Sequence, residues 1–302
     1  MNKKKAYLLI AIGAALWGII GLFVTYLNKL GFSSIQIVTI RAITAAFFLL
    51  FYTLFKDPQR LKIQLQDSKY FIGTGIISVA LFNWCLFSAI RETSISIAAI
   101  LLYTAPAFVT IFSRILFKEA LTSRKILALV TTLIGCALVI GIFPDVSGSI
   151  SLYGFMLGLG SGFFYALYSI FCKFALRKYD SLTVTVYTFV FAAVAVTPFS
   201  GLSSIFPLFS NPRVWLYIVG LGFFSTMLAY TLYTKGLNAV ESSRASIIAT
   251  IEPVVASLVS FLVFNEKLNL FQHIGIAMVL AGVLLVQEPS EVLDEESSLL
   301  SK

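Results

Sequence analysis

The chain is expected to fold as an all-α membrane protein, with ten transmembrane helices arranged as two inverted five-helix repeats around a central cavity. Three observations predict this. Ten apolar stretches, each close to 20 residues, fill most of the 302 residues; hydrophobic residues make up 59% of the chain and charged residues 12%. A stretch of about 20 apolar residues crosses the hydrocarbon core as a helix, and a helix satisfies every backbone polar group internally. The second half echoes the first at an offset of 147 residues, with 16 identities among the 70 positions of Phe71–Ile140 compared with Ile218–Gln287. Five spans per copy is an odd number, so the second copy must enter the membrane the opposite way up.

Each span follows from its own stretch of sequence. Tyr7–Leu27 comes after Lys3, Lys4 and Lys5. A basic start and an apolar run also describe a signal peptide, but the run continues past Leu27 without a small-residue cleavage site. Ala15-Leu16-Trp17-Gly18 also aligns with Phe163-Phe164-Tyr165-Ala166 of the sixth span, so it counts as the first helix. Ile35–Phe55 is the second span, and the polar linker Lys56–Tyr70 separates it from Phe71–Ile90. Ile95–Phe117 is interrupted by Pro106, and Ile126–Phe143 closes the first copy. The second copy runs through Leu152–Ala175, Leu182–Phe199, Val214–Tyr233, Ala245–Phe264 and Phe271–Gln287, with the Pro-punctuated linker Ser200–Arg213 in its middle. The expected units are residues 1–147 for the first repeat and 148–287 for the second, followed by an acidic, disordered cytoplasmic tail at 288–302. These linkers leave no room for a soluble enzymatic domain.

The net charge of +8 reflects topology, and no nucleic-acid partner is expected. Lys56, Arg60, Lys62 and Lys69 lie between spans two and three, Lys118, Arg124 and Lys125 after span four, and Lys173, Arg177 and Lys178 after span six. The opposite loops hold only Lys29, Arg91, Arg213 and Lys267. Lys and Arg accumulate on the cytoplasmic side, so both termini are expected there and the protein in the cell (plasma or inner) membrane. Cys85, Cys136 and Cys172 all fall inside spans, with neither a disulfide framework nor zinc spacing. His273, at the start of the last span, reads as an interface residue. No Gly-rich phosphate loop, catalytic triad, metal site or cofactor motif is present.

An ionisable residue near the bilayer centre is costly and therefore a functional candidate. Glu252 is the eighth residue of span nine, and Pro253 follows it. Proline cannot donate to the carbonyl four residues back, which frees that of Ala249, and it pushes Glu252 away from helical geometry. Ala105-Pro106 is the matching break in the first copy, freeing the carbonyl of Leu102. Pro106 and Pro253 are thus candidate hinges. Glu252 is the candidate substrate-binding and coupling acid, carrying either a proton or a cationic partner in a low dielectric. A structural acid capping the broken turn is the plainer alternative. Trp17, Tyr103, Tyr165 and Tyr230 sit near mid-span beside polar or small neighbours, and Asn83 matches Tyr230 by repeat. Such rings combine an apolar body with a polar tip and attract cations, which makes these five candidate substrate-binding residues, although each alone is equally at home in packing. Arg41 is expected to snorkel to the outer interface or bond a carbonyl rather than to hold a substrate carboxylate. Glu119 and Glu266 read as surface-turn residues at opposite faces. Gly154, Gly158 and Gly162 read as close helix packing.

Taken in order, these motifs resemble the EamA-like branch of the drug/metabolite transporter superfamily. They are Ala15-Leu16-Trp17-Gly18, Arg41, Ser96-Ile97-Ala98-Ala99-Ile100 leading to Tyr103-Thr104-Ala105-Pro106, Ser243-Arg244-Ala245-Ser246, Glu252-Pro253-Val254-Val255-Ala256, and Phe264-Asn265-Glu266-Lys267-Leu268. The resemblance spans Gly13–Val286. Asn265 departs from it, since the family commonly has glycine before this glutamate; Lys118 departs likewise in the first copy. The resemblance implies ten helices around a cavity lined by spans one, three, four, six, eight and nine, and export or exchange of small metabolites.

The leading functional expectation is a secondary transporter that moves a small amphipathic metabolite, an amino acid or related compound, by alternating access. Its partners are that small-molecule substrate, the lipid bilayer and a coupling proton. The alternatives are a carrier of an amine or quaternary ammonium cation and, outside transport, a membrane-embedded enzyme on a lipid-linked substrate. Such an enzyme needs paired acids or a nucleophile–base set that the loops do not offer.

Overall fold

The computed structural model describes residues 1–141 and 151–287. The end of span five at Phe143, the boundary between 147 and 148, and the 288–302 tail lie outside the described residues. Among the described residues, nine helical rods are long and apolar enough to cross a membrane. They are α1 (Lys3–Lys29), α2 (Ser34–Lys56), α3 (Leu65–Glu92), α4 (Ile95–Phe117), α6 (Leu152–Ala175), α7 (Ser181–Phe199), α8 (Pro212–Leu237), α9 (Ser242–Phe264) and α10 (Leu270–Gln287). The tenth, α5 (Ser123–Val139), has 17 described helical residues. The rods alternate in direction, so α1 and α6 start at opposite faces. The face where α1 begins is called the N-terminal face below.

Helix α3 starts six residues before the expected Phe71. Its polar entry is fixed by Asp67, which accepts hydrogen bonds from Lys178 (2.7 Å) and the Tyr179 hydroxyl (2.7 Å). The same bond holds the Lys178 ammonium above its ordinary pKa. At the start of α7, Asp180 caps the amides of Leu182 (2.8 Å) and Thr183 (3.2 Å). Such caps satisfy donors that a helix start leaves unpaired.

Helices α5 and α10 pack along each other through Gly135, Gly275 and Gly282. A Cβ built on Gly135 would lie 2.9 Å from the Val279 amide nitrogen, so only glycine permits this approach. The remaining helices surround a buried core that includes Trp17, Tyr168, Phe189, Tyr230 and Tyr233. Phe47, Phe51 and Phe55 point outward along α2 with 61%, 54% and 78% of their surface exposed, as lipid-facing side chains do.

The two halves share their irregularities. Both α3 and α8 contain a nine-residue π-helical stretch, Ile72–Ala80 and Gly220–Leu228. Both α4 and α9 are broken near the middle. Lys118 (φ 57°) and Asn265 (φ 56°) end α4 and α9 in the left-handed region, which is where glycine is the natural occupant. The breaks themselves depart from expectation. They fall at Tyr103–Thr104 and Ala249–Thr250, one turn before the prolines. Pro106 and Pro253 sit in the first turn of the resumed helix, where a missing N–H costs little. The Ala249 carbonyl is not free: it accepts the Glu252 amide at 3.0 Å. Thr104 and Thr250 stabilise the two breaks by donating their hydroxyls to Leu101 (2.6 Å) and Ile247 (2.6 Å).

Candidate functional site

The break in α9 places Glu252 in the first turn of its second half-helix, where the helix dipole favours a carboxylate. Glu252 is therefore helical, contrary to the expectation that Pro253 would displace it. Glycine at position 18 lets α1 cross at this point, since a Cβ there would lie 2.7 Å from the Glu252 carbonyl oxygen. Glycine at 162 lets α6 approach the corresponding break in α4, with the Leu101 carbonyl 2.8 Å from a hypothetical Cβ. The two close approaches bring α1 and α6 against the two interrupted helices.

Five of the six expected residues meet there. The Tyr165 hydroxyl donates to the Glu252 carboxylate at 3.2 Å. Tyr103, from the break of α4, brings a second hydroxyl to the same carboxylate. The Trp17 ring lies 6.2 Å from that of Tyr165, and 4.9 Å from both Tyr230 and Tyr233. Asn83 is not part of this group. Its amide donates to the Val79 carbonyl of its own helix at 2.7 Å, and its neighbour Phe82 meets Tyr165 instead, at 5.3 Å.

Sequence reasoning missed Tyr168 and Tyr233, which stand three residues after Tyr165 and Tyr230 and so on the same helical faces. Tyr168 shares a hydrogen bond with Thr234 (2.7 Å), and Tyr233 one with Ser169 (2.7 Å), joining α6 to α8. Between these rings lies a cavity of about 20 Å³ lined by Trp17, Pro106, Tyr165, Tyr168, Tyr233 and Ala249, among others. That is room for about one water molecule. Trp17 is 4% exposed, and its indole N–H has no hydrogen-bond partner. A buried donor without a partner is costly.

Arg41 also departs from expectation. Its guanidinium turns inward and donates to the Thr226 hydroxyl (3.1 Å) and the Tyr230 hydroxyl (3.4 Å). Thr226 lies in the π-helical stretch of α8 and donates in turn to the Leu221 carbonyl five residues back (2.8 Å). Arg41 and Glu252 therefore bracket the aromatic group, one through Tyr230 and the other through Tyr165.

The two faces of the bundle differ. At the N-terminal face, Lys173 donates to the Leu237 and Val240 carbonyls (2.8 and 2.6 Å), and the buried Lys125 pairs with Glu241 (3.1 Å). Glu119 is 8% exposed and accepts the amides of Ser242 (2.7 Å) and Ser243 (3.1 Å), together with the Ser243 hydroxyl. It is a buried cap on α9, not the surface-turn residue expected. On the opposite side, a cleft of about 330 Å³ runs between α1 and α9 from Gly18 past Thr25 and Ser260 to Lys29 and Glu266.

The model of the EamA-like transporter family matches this chain twice, at residues 4–141 and 152–287. A relative from Archaeoglobus fulgidus, described as an uncharacterized transporter, is 34% identical over 70% of this chain and 75% of its own. An uncharacterized transporter of Bacillus subtilis, YxxF, is 27% identical over 94% of this chain and 90% of its own. YicL of Salmonella typhimurium, an uncharacterized inner membrane transporter, is 23% identical over 94% and 96%. One crystal structure superposes with a TM-score of 0.77 at 17% identity, covering 94% of this chain and 96% of the other, a likeness of fold alone.

Proposed function

The chain belongs to the EamA-like transporter family and is a multi-pass membrane transporter, and from this premise we propose that it carries a small amphipathic metabolite, an amino acid or related compound, by alternating access. The observation that carries this reading is the buried Trp17, its indole N–H without a hydrogen-bond partner and its ring set between tyrosines that lead to Glu252 and Arg41. An acid, a cation and rings packed edge-on and tilted at one site suit a ligand with both charges and an apolar body. The same set favours a zwitterion over a plain amine or quaternary ammonium, for which Arg41 would be repulsive. A membrane enzyme has less support: Glu252 is the one mid-span acid among the described residues, and no cluster of three His, Cys, Asp or Glu side chains that could hold a metal is found among them.

The reading is tested with a panel of small metabolites, scored first by thermal stabilisation of the purified protein and then by flux in proteoliposomes. A ligand at about 100 times its Kd stabilises by roughly 2.7 kcal/mol. Amino acids should stand out; stabilisation only by quaternary ammonium compounds would favour the alternative. In this reading the protein sits in the plasma or inner membrane with both termini cytoplasmic, Glu252 exchanges the coupling proton, and the cleft opens outward. A cysteine at Ser203 should then react with an impermeant thiol reagent added to intact cells and one at Ser123 should not; the reverse pattern would invert the topology. The breaks preceding Pro106 and Pro253 are the proposed flexible points. In the double variant Pro106→Ala/Pro253→Ala, turnover should fall more than substrate affinity, and unaltered flux would remove the hinge role.

A further inference from the structure

Glu119 and Glu266 occupy the same place in the two repeats, 147 residues apart, each after a left-handed residue that ends a broken helix. Their surroundings in this conformation are opposite. Glu119 is buried and caps the start of α9 through Ser242 and Ser243. Glu266 is exposed on the rim of the open cleft. The positions that match Ser242 and Ser243 by the repeat are Ile95 and Ser96, at the start of α4. Ile95 is 73% exposed, and the α4 start is capped only locally, by Ser94 accepting the Ile97 amide at 3.2 Å. The molecule thus shows one acid engaged at the closed face and its counterpart disengaged at the open face.

We infer that Glu119 and Glu266 are alternating latches of the transport cycle: Glu119 holds the N-terminal face shut by capping α9, and Glu266 shuts the opposite face by capping α4 through the amides of Ile95 and Ser96 when Glu119 lets go. The inference rests on the alternating-access reading above. A swap of this kind breaks one set of charge-assisted hydrogen bonds while forming an equivalent set. The two conformations can then stay close in free energy, as a carrier that must visit both requires. The inverted repeat supplies the symmetry: an interaction built by one half at one face is available to the other half at the other face. Both acids are positioning residues here and neither touches the substrate.

The test measures the reaction rate of single cysteines with a thiol reagent in detergent, where both faces meet the reagent and no substrate is needed. Thr25→Cys reports on the open cleft and Ser246→Cys on the closed cavity. The three native cysteines are buried, so the unmodified protein sets the background. Glu119→Gln should raise the rate at Ser246→Cys and lower that at Thr25→Cys, each by roughly tenfold, the change that the loss of one charge-assisted hydrogen bond makes to an equilibrium. Glu266→Gln should do the reverse, protecting Ser246→Cys further. If Glu119→Gln destabilises the fold too far, Ser243→Ala removes one donor of the same cap and should shift the ratio in the same direction. Unchanged rates in Glu266→Gln, or a lowered melting temperature in Glu119→Gln at the wild-type ratio, would reduce Glu119 to a structural cap and overturn the latch. Because the readout is accessibility, the latch can fail while amino acid flux stands, and the substrate reading can fail while the latch stands.

Discussion

Replacing Arg41 with methionine is expected to weaken binding of a zwitterionic substrate by about 10- to 100-fold, the range spanned by a lost hydrogen bond to a charged group at about 1.5–3 kcal/mol. The guanidinium has two side-chain partners, the Thr226 and Tyr230 hydroxyls, which leaves donors free for a carboxylate. Methionine keeps much of the length without the charge. Thr226 retains its bond to the Leu221 carbonyl, so α8 should keep its shape. The check is a pair of ligands, an amino acid that binds and its methyl ester, which lacks the anionic group. Arg41→Met should lose affinity for the acid and leave the ester nearly unaffected. Equal losses for both would mean that Arg41 serves packing between α2 and α8.

Arg41 also shows where the sequence stops being informative. Its depth in span two is plain from hydropathy, but the direction of its side chain depends on Thr226 and Tyr230, more than 180 residues away. The burial of Glu119 is hidden from the sequence for the same reason. Its local sequence, Phe117-Lys118-Glu119-Ala120, is that of a helix end and a turn, while the amides that bury it come from Ser242 and Ser243, 123 and 124 residues on. The spans, their number and their inversion were legible because hydropathy and the repeat are written along the chain. Glu252 and its place beside a broken helix were legible too, since proline and an intramembrane acid are local signals. The break's position was not, because the lost amide of a proline is felt up to four residues earlier, and where the chain yields depends on neighbours such as Gly162 and Gly18. Tyr168 and Tyr233 could have been found from their three-residue spacing to Tyr165 and Tyr230. Asn83, chosen by repeat alignment with Tyr230, shows the limit of that symmetry: the halves share backbone irregularities while their side chains have diverged.

The central claim is that transport passes through the acid-bearing aromatic site between the halves, and Glu252→Gln tests it most directly. The carboxylate faces the Tyr165 and Tyr103 hydroxyls, and Arg41 acts on it across the rings. Glutamine preserves the shape and can still accept from Tyr165, but it neither titrates nor carries charge. Folding should survive, because removing an acid from the middle of a membrane span lifts a cost. The measurement is proteoliposome flux of a stabilising metabolite across a range of pH, for the native protein and the variant side by side. The account predicts that the native flux changes with pH while Glu252→Gln is flat and reduced by at least about 100-fold, in line with the loss of a charged, proton-carrying partner worth roughly 3 kcal/mol. Native flux and a native pH profile in Glu252→Gln, with only thermal stability altered, would contradict it and make Glu252 a structural cap on the broken helix.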